Sequence, residues 1–163
     1  MALNARNFSA AIQFGEHSLT LDRRFWVGYY QLAMAHEQMG NHELALDVLR
    51  QAGPLSNGNS KVIGLRGYVL AKLGRFGEAR EVLNTLEALS RERYTPPYAT
   101  ALVYAGLGET ELALEWLERA FDTHDVHLVL TAADPKWDSF RAENRFVALL
   151  DRCGFRVLDA ARN

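Results

Sequence analysis

His124 and His127, with Asp122 and Asp125 beside them, form the one cluster in this chain whose residue types could hold a metal ion, since imidazole nitrogens and carboxylate oxygens both ligate zinc. A spacing of three would set the two imidazoles on one helical turn. The cluster has no neighbouring cysteine and no third obvious ligand, and Asp122, Thr123 and Asp125 are turn- and cap-forming residues. A joint between elements is expected there, and no metal. The glycines from Gly64 to Gly77 do not make a phosphate loop, because Gly64-Leu65-Arg66-Gly67 reads as helix interior and no lysine-serine or lysine-threonine pair follows. Cys153 lies beside Gly154 at a helix C-terminus, away from the positive helix end that would activate a thiol. Ser56 and Ser139 have no histidine and acid arranged around them by a recognisable motif. The expectation is a non-enzymatic chain with no cofactor.

The elements that carry these residues announce themselves by periodicity. Ala11, Ala45, Ala79 and Ala113 recur at an interval of 34 residues, and Gly40, Gly74 and Gly108 keep the same interval. A repeat of that length is a stack of helical hairpins, each too small to bury its apolar face alone, so that neighbours share one core. The glycines fall where the first helix of each unit must stop, since a residue without Cβ accepts the left-handed conformation that ends a helix. Each alanine follows five residues later, where a small side chain lets the paired helices approach.

Composition agrees with a helix-rich globular chain: 48% apolar and 23% charged residues, with only four prolines among 163. A net charge of −2 lacks the basic excess expected of a nucleic-acid or anionic-membrane binder. Arg23-Arg24 and Arg91-Glu92-Arg93 read as solvated charges near the ends of second helices. No apolar run approaches the ~20 residues needed to span a bilayer, and residues 1–20 lack a signal peptide's apolar stretch. A single cysteine fits a reducing compartment, so a cytoplasmic location is expected.

With units opened at Trp26, Ser60 and Tyr94, the chain resembles the tetratricopeptide repeat family. Tyr29 and Ile63 match the family's large fourth residue, from which Pro97 departs. Ala33, Gly67 and Ala101 match its small eighth position, and His36, Leu70 and Tyr104 its bulky eleventh. Ala52, Leu86 and Ala120 stand near the ends of the second helices, while Arg66 and Thr100 replace the family's usual leucine. The resemblance implies an all-α, right-handed superhelical solenoid of antiparallel helix pairs with a C-terminal helical cap. The expected organisation is one domain over residues 1–163: the second half of a truncated repeat at 7–25, repeats at 26–59, 60–93 and 94–121, and a helical tail at 122–163. Leu117 is expected in the core. The half-unit at the start implies earlier repeats upstream or a homodimer through that face, with an exposed apolar strip around Phe8, Ile12 and Phe14.

In the tail, Asp134-Pro135 is a helix start; Phe146, Leu149 and Leu150 share one face of a short helix, and Gly154 ends it. With Tyr94-Thr95-Pro96-Pro97-Tyr98 and Tyr104 to Glu109, this tail resembles the C-terminal end of repeat segments attached to bacterial signalling proteins: winged-helix transcription regulators, class III adenylate cyclases and serine/threonine kinases. The tail is expected to cap the stack, covering Trp116 with Leu128, Trp137 and Phe140, in preference to lying in the groove.

The family resemblance implies that first helices line a concave groove. The inward positions here include Val27, Tyr30, Met34, Glu37 and Gln38, then Lys61, Tyr68 and Lys72, then Tyr98 and Leu102, with Gly64 leaving a gap between Tyr30 and Tyr98. The expected partner-binding groove is Tyr30, Met34, Gln38, Lys61, Tyr68, Lys72, Tyr98 and Leu102, an amphipathic lining suited to a peptide with apolar anchors and some acidic character. At the positions where family members grip a C-terminal carboxylate the chain has Tyr30, Met34, Leu65, Thr95 and Ala99, so a clamp of that kind is not expected. The function implied is a non-catalytic protein–protein interaction scaffold. The alternative is a regulatory or self-association segment acting on an upstream output domain of its own chain.

Overall fold

The computed structural model describes residues 8–155, which among themselves are helix and connecting turn. α1 (Phe8–Leu21) lies against α2 (Trp26–Gln38), which forms a hairpin with α3 (His42–Leu55). Two more hairpins follow, α4 (Ser60–Lys72) with α5 (Phe76–Glu92) and α6 (Pro97–Leu107) with α7 (Thr110–Asp122). Two short 3₁₀ segments, Val126–Leu130 and Pro135–Phe140, then lead to α8 (Asn144–Arg152). No helix is long and apolar enough among the described residues to cross a membrane.

The turns inside the hairpins repeat one geometry. Gly40, Gly74 and Gly108 have φ of 77°, 74° and 76°, and each precedes a residue whose amide reaches back to a carbonyl of the first helix: Asn41 to His36, Arg75 to Leu70, Glu109 to Tyr104. Those bonds satisfy carbonyls that the helix end would leave orphaned, and the left-handed φ they require is why glycine stands there.

The second helices are amphipathic, and their apolar stripes recur at helical spacing: Ala45, Leu46, Leu49 and Ala52 on α3; Ala79, Val82 and Leu86 on α5; Ala113, Leu114, Leu117 and Ala120 on α7 are all buried. The first helices α4 and α6 are buried on more than one face, because each is held between its own partner and the next unit. Leu117 is fully buried, as expected of a core position.

The first helices do not approach one another evenly. α4 and α6 pack along their lengths, whereas α2 and α4 touch at few points. Gly64 explains the close pair: a Cβ built there would lie 2.9 Å from Ala99 O and 3.1 Å from Ala99 Cα, so the missing side chain admits the backbone of α6. The gap expected at Gly64 is therefore absent. The space is taken up by the neighbouring helix, since close packing is more favourable than a void.

α6 also begins late. Pro96 and Pro97 fix φ and offer no N–H, so the helix opens at Pro97 with Pro96 as its N-cap, and no local side chain caps it.

Candidate functional site

The tail returns along the concave side and occupies part of the groove. Asp125 carries the first contact: its Oδ2 accepts the backbone N–H of Tyr98 at 3.0 Å, supplying from 27 residues away the cap that the prolines of α6 cannot. Its Oδ1 accepts the backbone N–H of His127 at 3.0 Å and lies 2.6 Å from His127 Nδ1. Burial alone would raise the Asp125 pKa; the bonds from His127 and Tyr98 outweigh it and hold the carboxyl below the usual aspartate range. The His127 ring stacks on Tyr98 with centroids 5.9 Å apart.

Trp137 carries the second. It is fully buried, its indole N–H donates to Tyr98 Oη at 3.1 Å, and its ring meets Tyr98, Phe140 and Phe146 at 5.8, 5.2 and 6.2 Å. Asp134 caps the second 3₁₀ segment through the Lys136 amide, the role its place before Pro135 predicts.

Lys136 carries the third. Its Nζ stands 2.8 Å from Asp134 Oδ1 and 3.7 Å from Glu37 Oε2, with all three side chains about 95% buried. The contact is ionic, without hydrogen-bond geometry at the ammonium. Gln38 Nε2 donates to Glu37 Oε2 at 2.5 Å. Burial raises the Glu37 pKa despite the opposing pull of Lys136. The same burial, with Asp134 and Glu37 nearby, pushes the phenols of Tyr30 and Tyr68 far above their ordinary value, so both remain neutral donors. Tyr98 is raised well above its ordinary value by burial first and Asp134 second.

The expected groove residues therefore meet different fates. Tyr98 and Leu102 are buried beneath the tail, and Tyr68 is buried with Lys72 Nζ 5.8 Å from its ring centroid. Tyr30, Met34 and Gln38 are half-buried, and Lys61 and Lys72 are exposed. The tail both fills and caps, where capping was expected in preference to filling. α8 does the capping: Arg145 bridges Glu118 and Glu111 of α7, and the Arg152 guanidinium lies 4.2 Å from the Phe121 ring centroid. Trp116, expected under Trp137, lines an outer cleft between α5 and α7 with Arg119 over its ring. Thr100 and Arg66, at the family's leucine position, each line an outer cleft of about 340 and 370 Å³.

The residues first considered for metal chemistry are divided between elements. His124 is exposed at φ 56° in the turn after α7, and His127 is engaged with Asp125 and Tyr98. No group of three or more His, Cys, Asp or Glu that could hold a metal occurs among the described residues. Burial raises the Cys153 pKa, which leaves its thiol protonated. Asp125 caps the first 3₁₀ segment through the His127 amide, as its residue type and place predict; sequence reasoning missed its second role as the cap of α6, and Lys136 and Glu37 as partners. The signal for the α6 cap was available in the uncapped Pro96-Pro97 helix start; a buried pair 99 positions apart, Glu37 and Lys136, left none.

A family model described as Tetratricopeptide repeat matches residues 5–134. No curated protein and no solved structure matches the chain.

Proposed function

The chain belongs to the tetratricopeptide repeat family, and on that premise we propose that it is a non-catalytic interaction module that takes a peptide or partner segment along the part of the concave surface left open by its own tail. The open part is lined by Tyr30, Met34, Gln38, Lys61 and Lys72. One observation carries this reading: the groove already holds a short segment, residues 125–140, by the means one chain uses to recognise another. An aromatic anchor meets a hydroxyl, and charged groups find specific partners. Half-buried Met34 and Tyr30 offer adaptable and rigid apolar contact, respectively, beside that segment.

The test is a selection of displayed random peptides on the intact chain, with enriched peptides titrated calorimetrically against wild type, Met34→Ala and Gln38→Ala. Enrichment of related peptides that lose about tenfold in affinity on Met34→Ala supports the reading. A selection that enriches nothing, or peptides indifferent to both changes, rules it out.

A second reading is favoured by α1, whose outer face exposes Phe14 at 61% and Leu21 at 77% while Phe8 and Ile12 turn inward against Ala11, Met34 and Ala35. In this reading the chain is the regulatory and self-associating segment of a bacterial transcription regulator, adenylate cyclase or kinase, acting on its own output domain. A sedimentation coefficient that rises with concentration, and stops rising in Phe14→Asp, would favour it over the monovalent module.

A further inference from the structure

At the end of the groove nearest the starts of α4 and α6 lies a cleft of about 380 Å³ whose wall includes Lys61, Arg93, Tyr94, Asn59, Ser60 and His127. No carboxylate among the described residues lines it. That absence is notable because most arginines on the surface are paired: Arg50 with Asp47, Arg75 with Glu78, Arg80 with Glu109, Arg91 with Glu87, Arg145 with Glu111 and Glu118. Arg93 instead spends its Nη2 on two backbone carbonyls, of Asn57 at 3.2 Å and Gly58 at 2.6 Å, which fixes the guanidinium at the cleft, and it has no carboxylate partner among the described residues. Lys61 has no carboxylate partner among the described residues. The charge comes from side chains, since the Lys61 amide in the first turn of α4 already donates to Asn59 Oδ1. The Tyr94 ring stands exposed beside them.

The cleft is continuous with the groove: Ser60, Lys61, Pro96 and His127 line both it and the narrow slot above Tyr30, Tyr98 and Leu102.

We propose that this cleft is an acidic-residue subsite of the concave surface, in which Lys61 and Arg93 bind the side-chain carboxylate of an aspartate or glutamate in the bound peptide. The inference rests on the interaction-module reading and adds the partner's chemistry to it. Two cations of fixed and flexible reach surround a singly charged, planar group, and Tyr94 covers the flanking apolar residue. With a net charge of −2 on the chain as a whole, attraction to an acidic segment must be local to this cleft.

The probes are fluorescein-labelled peptides alternating aspartate with leucine, their asparagine-leucine counterparts, and a version with phosphoserine for aspartate, each titrated with the full chain and read by anisotropy at low and high salt. The aspartate peptide should bind, the asparagine peptide should bind less, and Lys61→Gln and Arg93→Gln should each weaken the aspartate peptide about fivefold, with the difference shrinking at high salt. Arg91→Gln, a neighbouring cation already paired with Glu87, should change nothing. Lys61 is exposed and its side chain forms no hydrogen bond or ion pair among the described residues, so its variant reports on binding even if Arg93→Gln loosens the Asn57–Gly58 turn. Equal binding of the aspartate and asparagine peptides overturns the assignment, as does an equal loss in Arg91→Gln, binding of the phosphoserine peptide alone, or no binding of any probe. Peptides that lose affinity on Met34→Ala but not on Lys61→Gln would leave the module standing without this subsite.

Discussion

The two ends of the concave surface were built from the same repeat positions and have become different things. Over α6 the groove is closed: Tyr98 and Leu102 are buried, Trp137 is fully buried against Tyr98, and Asp125 caps the helix. Over α2 and α4 it stays open, with Met34 and Gln38 half-buried and Lys61 and Lys72 in solvent. Register assigns a residue to the inner face of a solenoid, but only what comes back along the chain decides whether that residue recognises a partner or becomes core. The tail also joins units that a simple stack would leave independent, because Lys136 reaches Glu37 on α2 from beyond the third hairpin.

The comparison breaks most decisively at Trp137. Trp137→Ala removes a fully buried indole and its bond to Tyr98, and should lower the unfolding free energy by about 3–5 kcal/mol in urea titrations. If the closed end is truly core, tryptophan loss shifts the whole cooperative transition. A transition that keeps its midpoint, with cleavage by protease appearing only between residues 125 and 140, would mean that the tail is a detachable ligand and the two ends differ less than the packing indicates.

Lys136 tests the tie between the ends. Lys136→Ala leaves Glu37 and Asp134 buried without their cation and should cost about 2–4 kcal/mol at neutral pH. The loss should shrink on acidification, since Glu37 already has a raised pKa and takes up a proton early. Pairing Lys136→Met with Glu37→Gln should recover part of it, and strict additivity of the single changes would show that the two ends are not coupled.

Asp125 sharpens the closed end by pH. Its carboxyl is more acidic folded than unfolded, so its contribution is complete above the ordinary aspartate value and is lost as pH falls through the lowered folded value. Glu37 works the other way, with stability declining as pH rises from the ordinary glutamate value toward its raised one. Asp125→Ala should destabilise the chain by about 1–3 kcal/mol at neutral pH, with the gap from wild type narrowing in acid and with loss of hydrogen-exchange protection at the Tyr98 amide. An unchanged Tyr98 amide would refute its role as a cap.

The helical stack was legible because its signals are local: glycine at a left-handed turn and alanine at a close crossing leave the same mark in every unit, and three marks at one interval identify the architecture. The end of the last helix was legible from Phe146, Leu149, Leu150 and Gly154 for the same reason. The route of the tail was not. Its decisive contacts, Asp125 to Tyr98 and Lys136 to Glu37, join positions far apart in sequence, and no periodicity connects them. Gly64 misled by the reverse error, since a missing side chain was read as space when it is the condition for α6 to come close.

The smallest effect lies at the handover between the two regions. His124 occupies, after α7, the place that glycine takes inside each hairpin: it has φ 56°, and Asp125 N–H reaches back to Ala120 O as Asn41 does to His36. A residue with Cβ in that conformation carries about 1–2 kcal/mol of strain, while glycine would add about 0.5–1 kcal/mol of lost unfolded-state freedom, so His124→Gly should stabilise the chain by a net of about 0.5 kcal/mol. The His124 side chain is exposed, so its removal should subtract little from that gain. The gain should appear as slower hydrogen exchange at Asp125 and Tyr98, because a better-formed end to α7 holds the Asp125 carboxylate where the prolines of α6 need it. A net loss of stability would show that the imidazole makes a contact worth more than the strain, and that the joint was selected for something besides delivering the tail to the groove.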